Sequence, residues 1–234
     1  MMHQRLKDIC FEAISAATLP GYYLRKTLGA PRHAPAQARH LHIGCGGKYL
    51  PGFVNIDANP RLRLDMWLDV RNGLPFRDNS VDSIYSTHMM EHFYADELQR
   101  VLRECHRVLR PQGGIRIIVP SLASAFKAYT QGRLDWFPSH FPRRFDTLGG
   151  RFANFIFCDG QHRTAFDFDH IAELLTGAGF AHVQEFGEGS SELYGDQVPV
   201  YDTRDLHDLP HSLYVEAFKE GVDRIHLGEY AKAA

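Results

Sequence analysis

Three groups of residues in this chain combine types and spacings that could do chemistry. The first is Leu41-His42-Ile43-Gly44-Cys45-Gly46-Gly47, where a short apolar stretch passes straight into glycines. Glycine lets the backbone approach a ligand closely and take up positive φ without a Cβ penalty. The run is not a dinucleotide fingerprint, because Tyr49 stands where a third glycine would fall and the next acidic strand end comes early, at Asp57. A nicotinamide dehydrogenase is therefore disfavoured. The second group, His88-Met89-Met90-Glu91-His92, spells the H-x-x-E-H pattern of a zinc peptidase class. It follows a predicted strand directly, outside any long periodic helix, and no third ligand is evident, so no metal is expected. The third group is histidine itself. An imidazole titrating near ~6.5 suits removal of a hydroxyl proton at neutral pH. The ordered candidates for such a base are His88, then His162 and His140, each with a plain alternative as a loop or core histidine.

These residues need elements to hold them. Strands are predicted at Arg39 to Ile43, Phe53 to Ile56, Leu64 to Leu68, Ser80 to Ser86 and Ile115 to Val119, with two more around Ala181 to Phe186 and Ser212 to Ala217. Between the fourth and fifth, Leu98, Val101, Leu102, Cys105, Val108 and Leu109 make one apolar helical face that ends at Pro111-Gln112-Gly113-Gly114. Another helix is predicted from Phe168 to Ala178. Strands alternating with helices imply an α/β fold: a doubly wound, Rossmann-like, seven-stranded, mostly parallel sheet with helices on both faces.

Two segments fall outside that rhythm. Residues 1–38 read as a helical extension and linker ahead of a main domain at 39–234. Within the extension, Leu6, Ile9, Cys10, Ala13, Ile14 and Ala17 form an apolar stripe that Pro20-Gly21 stops. Residues 132–165 read as a folded insertion rich in aromatics (Trp136, Phe137, Phe141, Phe145, Phe152, Phe155, Phe157). It would cover the acceptor side of a cleft, with Arg143, Arg144 and Arg151 free to orient an anion, or else form a satellite core or an interface.

Composition narrows the partners. A formal charge of -2 gives no global field for nucleic acid or anionic lipid, so a small-molecule partner is expected and no nucleic acid or membrane. A homo-oligomer is compatible with the sequence. Four scattered cysteines form neither a disulfide framework nor a zinc pattern, which suits a reducing, cytoplasmic setting.

With these motifs in order, the chain resembles the class I S-adenosylmethionine-dependent methyltransferases, in the branch with a Gly-Cys-Gly-Gly first motif. The resemblance is carried by Leu41 to Asp57, Trp67-Leu68-Asp69-Val70, Leu74-Pro75-Phe76 with Asn79-Ser80-Val81-Asp82, Ser86 to Phe93, and Arg107 to Gly114. It implies S-adenosyl-L-methionine as cofactor. Gly44, Cys45, Gly46 and Gly47 would face its methionine end, Asp57 would accept both ribose hydroxyls, Asp69 and Val70 would flank the adenine, and His88 would lie in the cleft. The family carries the H-x-x-E-H letters without metal. Two departures stand out: His42 occupies a place that is often acidic, and the helix after the glycines is shortened to about Lys48 to Pro51. The implied activity is methyl transfer to a small molecule, a sugar or other hydroxylated acceptor. The alternatives are a non-catalytic cofactor-binding or scaffold protein on the same fold, or an aminopropyl transferase.

Overall fold

The computed structural model describes residues 4–28, 39–199 and 209–220. In chain order the elements are α1 (Gln4–Leu28), β1 (His40–Ile43), β2 (Val54–Asp57), β3 (Met66–Trp67), β4 (Val81–Thr87), α2 (Ala95–Val108), β5 (Leu109–Pro120), α3 (Leu122–Thr130), α4 (Leu148–Phe157), α5 (Phe168–Gly177), β6 (Ala181–Phe186) and β7 (Ser212–Phe218). The strands form one seven-stranded sheet in the order β3-β2-β1-β4-β5-β7-β6. β7 runs antiparallel to both its neighbours, and the other pairs are parallel. The direction of winding reverses between β1 and β4, the place where doubly wound sheets open a crevice at their carboxyl edge.

One face of the sheet is apolar and carries helices. Leu41 and Ile43, Ile115 and Ile117, and Val215 point to the side on which α2 lays down Leu98, Val101, Leu102 and Cys105, and α5 lays down Ile171 and Leu175. The α2 stripe expected from sequence is the one buried.

The opposite face is built differently. The helix expected to be short after β1 is absent altogether, and the chain from Gly44 to Phe53 is loop. Polar side chains on this face hold loops in its place. Asn55 Nδ2 donates to the carbonyls of Leu50 and Phe53 at 2.9 and 3.0 Å, while its Oδ1 accepts from Leu50 N–H at 2.8 Å. Arg116 and Glu216, opposite one another on β5 and β7, form a wholly buried ion pair at 2.8 Å. Glu216 also accepts the backbone N–H of Glu192 and Leu193. The loops so pinned bring Leu50, Phe53, Leu193 and Tyr194 onto Tyr85, Ile118, Tyr214 and Phe218 as a second cluster. A buried pair adds little net stability, but removing one partner costs about 3 to 5 kcal/mol, because it strands the other charge.

Helix α1 departs from expectation twice. It runs through Pro20 and Gly21 to Leu28. It also packs on a different face: Ile9 is 65% exposed, and the seated residues are Ser15, Thr18 and Tyr22. Tyr22 joins the main core, and Thr18 and Ser15 hydrogen-bond Asn72. Such tertiary burial offsets the cost of an interior proline, about 3 kcal/mol. The insertion is folded, as expected. Trp136 and Phe137 pack with Phe152, Phe155 and Ile156 under Ala125 and Ala128 of α3, which makes it a satellite core. Among the described residues no helix is long and apolar enough to cross a membrane.

His42 lies on the polar face, fully buried. Its Nδ1–H donates to Asn55 Oδ1 at 3.2 Å, and its Nε2 has no hydrogen-bond partner among the described residues. Burial lowers its pKa from 6.5 to about 4, against a smaller raising effect of Asn55. Between those values the unfolded chain takes up a proton that the folded chain refuses, so stability falls as pH falls through that window. The expected loss is up to about 3 kcal/mol. Urea unfolding of wild type and His42→Leu at pH 7 and pH 4.5 checks this: the variant loses less stability on acidification, and equal losses would remove His42 from the account.

Candidate functional site

The crevice is framed by the turns that follow β1, β2 and β4. Gly44 and Gly46 both have positive φ, 64° and 53°. A Cβ on Gly44 would lie 2.2 Å from Met89 Cγ, so the turns after β1 and β4 meet with no room for one methyl group. Gly46 N–H donates to Asp57 Oδ2 at 2.8 Å, and Asp57 Oδ1 accepts from Asn59 N–H at 2.8 Å. This carboxylate thus fixes the glycine turn and the tip of β2 together. It lines a cavity of about 140 Å³ with Gly44, Leu68, Val70, Met89 and His92. A Cβ on Gly47 would meet nothing within 4 Å, so the turn keeps open space beside it. Cys45 is buried, and burial followed by the Asp57 charge pushes its thiol up to about 12. It stays protonated and holds the turn through its backbone, donating to Ile56 O.

Asp69 lines the same cavity, but its carboxylate is committed to Arg71, at 2.9 Å from Nη2, and also accepts Arg71 N–H. Arg71 continues to Glu12 of α1 at 2.8 Å and Glu97 of α2 at 3.0 Å, and lies 4.5 Å over the Phe11 ring. A second cavity of about 390 Å³ shares Phe11 and His92 with the first and is walled by Arg71, Tyr94, Gln161 and Arg163. Arg163 pairs with Asp8 at 2.7 Å. The helix of the N-terminal extension is therefore a wall of the site. Nothing local in the sequence marked Phe11 for this, because only the folded chain brings it to Arg71.

The His88-to-His92 segment is a tight corner, with His88 at φ 51° and a 3-10 turn over Met90–His92. The His88 ring lines neither cavity; Met89 and His92 do. Glu91 is 1% exposed. Burial alone would raise its pKa, but the hydrogen bond from His88 and the positive potential of His88 and His92 hold it below the usual range. His162 arrives from the insertion with Nε2 3.9 Å from Glu91 Oε1. Burial lowers its pKa, which keeps the ring neutral. The two histidines of the sequence pattern do not come together with a third ligand; instead Glu91, His92 and His162 can offer ligand atoms within 4.8 Å of one another, without His88.

Other candidates do not join the site. His140 is exposed beside Ser139 Oγ and lines neither cavity. Arg143 and Arg144 pair with Asp159 and Asp146, and Arg151 donates to the carbonyls of Phe145 and Leu134. These arginines brace the insertion; they do not line the cavities.

Residues 41–117 match a family described as a methyltransferase domain. No curated protein matches the chain. Similar solved structures include a SAM-dependent methyltransferase from Thermotoga maritima, with 15% identity over 92% of this chain and 95% of that one and a TM-score of 0.48. Another, from Mesorhizobium loti, has 18% identity over 77% and 90%, with a TM-score of 0.45. A third, from Archaeoglobus fulgidus, has 16% identity over 89% and 94%, with a TM-score of 0.47. At such values the fold rests on this chain's own strand order. The matched stretch holds the glycine turn, Asp57 and Glu91-His92. The stretch is similar to a methyltransferase domain, and the cofactor that goes with that similarity is S-adenosylmethionine.

The fit at Gly44 gives a direct test. Gly44→Ala meets Met89 and forces an L-residue into positive φ, which alone costs about 1 to 2 kcal/mol. A fall in Tm of about 4 °C or more is expected. Gly47→Ala, with open space and ordinary φ, is the control and leaves Tm within about 2 °C. Equal melting of the two variants by calorimetry would contradict the packing described.

Proposed function

We propose that this chain transfers the methyl group of S-adenosylmethionine to a hydroxyl of a small-molecule acceptor, as a member of the branch with a Gly-Cys-Gly-Gly first motif. The observation that carries the reading is the Asp57 carboxylate, tied to the glycine turn and facing the cavity at the sheet's switch point. Bound there, the donor supplies a methyl group on a sulfonium, already activated for in-line displacement. Asp57 accepts the ribose hydroxyls, the Gly44-to-Gly47 turn lets the backbone lie against the methionine end, and Leu68 and Val70 flank the adenine. Phe11, Met89 and Phe93 supply apolar cover that excludes water.

The acceptor takes the larger cavity. Its volume of about 390 Å³ falls within the range of small-molecule pockets, about 300 to 1,000 Å³. The insertion reaches this cavity through Gln161 and Arg163, while Phe137, Phe152 and Phe155 stay in its own core and Phe141, Phe145 and Phe157 are exposed. The proton acceptor expected from sequence, His88, has its Nδ1 3.5 Å from Glu91 Oε1 and its Nε2 3.5 Å from Ser212 Oγ and lines neither cavity, so we assign it to bracing the corner after β4 and not to the acceptor. Four free cysteines suit the reducing cytoplasm in which we place the protein.

Donor binding tests the carrying observation. Asp57→Ala removes charge-assisted hydrogen bonds worth about 1.5 to 3 kcal/mol, so affinity for S-adenosylhomocysteine should drop about one to two orders of magnitude. Equal affinity by titration calorimetry excludes this role for Asp57. Turnover is followed as S-adenosylhomocysteine released with a panel of hydroxylated small molecules. Donor binding without release on any of them would favour the scaffold reading.

A further inference from the structure

The geometry points to a divalent transition-metal site of the zinc class, formed by Glu91, His92 and His162 between the corner after β4 and the end of the insertion. Two histidines and a glutamate are a donor set of catalytic zinc sites, which keep one position open.

The tautomers favour it. His92 Nδ1 lies 3.1 Å from the Gln161 carbonyl and His162 Nδ1 lies 2.9 Å from the Ile156 carbonyl. A carbonyl only accepts, so each Nδ1 carries the proton and each Nε2 presents a lone pair. Metal-binding histidines are usually held in this way, with the far ring N–H given to a carbonyl or carboxylate. Glu91 supplies a second, independent observation. The side chain is 2% exposed with its Oε1 beside His88, and its Oε2 has no hydrogen-bond partner among the described residues. A buried, unsatisfied carboxylate oxygen is costly, and a cation would satisfy it.

The backbone preorganises the three ligands. Arg163 and Thr164 N–H both donate to the Glu91 carbonyl, at 2.7 and 3.2 Å, and Thr164 Oγ1 donates to the Phe93 carbonyl. The loop that brings His162 is thereby fastened to the turn that carries Glu91 and His92. Glu91 and His162 line a third cavity of about 10 Å³ with Ile156 and Thr164, and His92 lines the two cavities described above, so its ring stands between the proposed metal and them. Binding stands apart from the methyl-transfer reading. Only its consequence, that the open position takes an acceptor oxygen and lowers its pKa, rests on that reading.

The test uses the full chain, stripped of metal with a chelator and checked for S-adenosylhomocysteine binding by calorimetry. It is titrated with Co²⁺ for the visible absorption of a four-coordinate site, then with Zn²⁺ in competition with a chromophoric chelator. One equivalent per chain is expected. His162→Ala and the isosteric Glu91→Gln should each weaken Zn²⁺ by at least about 100-fold, beyond the loss typical of an outer-shell partner. Both variants should still bind S-adenosylhomocysteine, which separates metal loss from misfolding; if the alanine variant fails that check, Glu91→Gln makes the comparison. Zn²⁺ bound no more tightly by wild type than by a variant that passes the check overturns the site, whatever the donor titration shows.

Discussion

The site depends on one close approach, that of the Gly44 backbone to the Met89 side chain. The turns after β1 and β4 come together where the winding of the sheet reverses, and the gap left between them is smaller than a methyl group. Everything chemical is referred to that contact. The glycine turn, held at that distance, reaches across through Gly46 N–H to the Asp57 carboxylate, so the tips of β1 and β2 are tied together. Met89, pressed against Gly44, fixes the start of the corner that carries Glu91 and His92. A larger residue at 44 would disturb both halves of the crevice.

The polar face of the sheet answers a problem that the missing helix creates. Most doubly wound sheets cover both faces with amphipathic helices, whose backbone groups satisfy one another. Loops laid on a sheet bring unsatisfied amides instead, and those must find partners. Asn55 and Glu216 are such partners, one for the loop before β2 and one for the loop between β6 and β7. This also accounts for charged and amide residues at strand positions where valine or isoleucine would pack. They replace a helix; they are not site residues.

The sequence made the sheet legible because parallel strands are buried on one side by regular apolar alternation, as at Leu41 and Ile43 or Ile115 and Ile117. The glycine turn and Asp57 were legible for a similar reason: both are local features of a strand end. The seating of α1 was not. Ile9, Cys10, Ala13 and Ala17 of its apolar stripe are exposed, while Ser15, Thr18 and Tyr22 make the contact, because those residues find Asn72 and the core. Periodicity reports the stripe that would bury most area, and a helix that docks on a polar turn follows its hydrogen bonds. His162 was named from sequence as a candidate base, but its place beside Glu91 was not legible, since its neighbours in sequence say nothing of Glu91. The backbone bonds from Arg163 and Thr164 to the Glu91 carbonyl, with those of Thr164 Oγ1 to Phe93 and His92 to Gln161, join the two segments.

The two halves of α1 are held by unlike forces, and that difference bears on access. Toward its end the helix is anchored by Tyr22 in the apolar core, with Thr18 and Ser15 on Asn72. Toward its start, where Asp8, Phe11 and Glu12 wall the larger cavity, the links are ion pairs to Arg163 and Arg71 and the stacking of Phe11 on Arg71. Partly exposed ion pairs of this kind contribute about 0 to 1 kcal/mol each, much less than a buried aromatic side chain. The stretch of α1 that closes the cavity is thus its more weakly held part. A ligand that displaces it breaks screened charge pairs and leaves the core intact, so the cavity can be entered without loosening the sheet that positions Asp57.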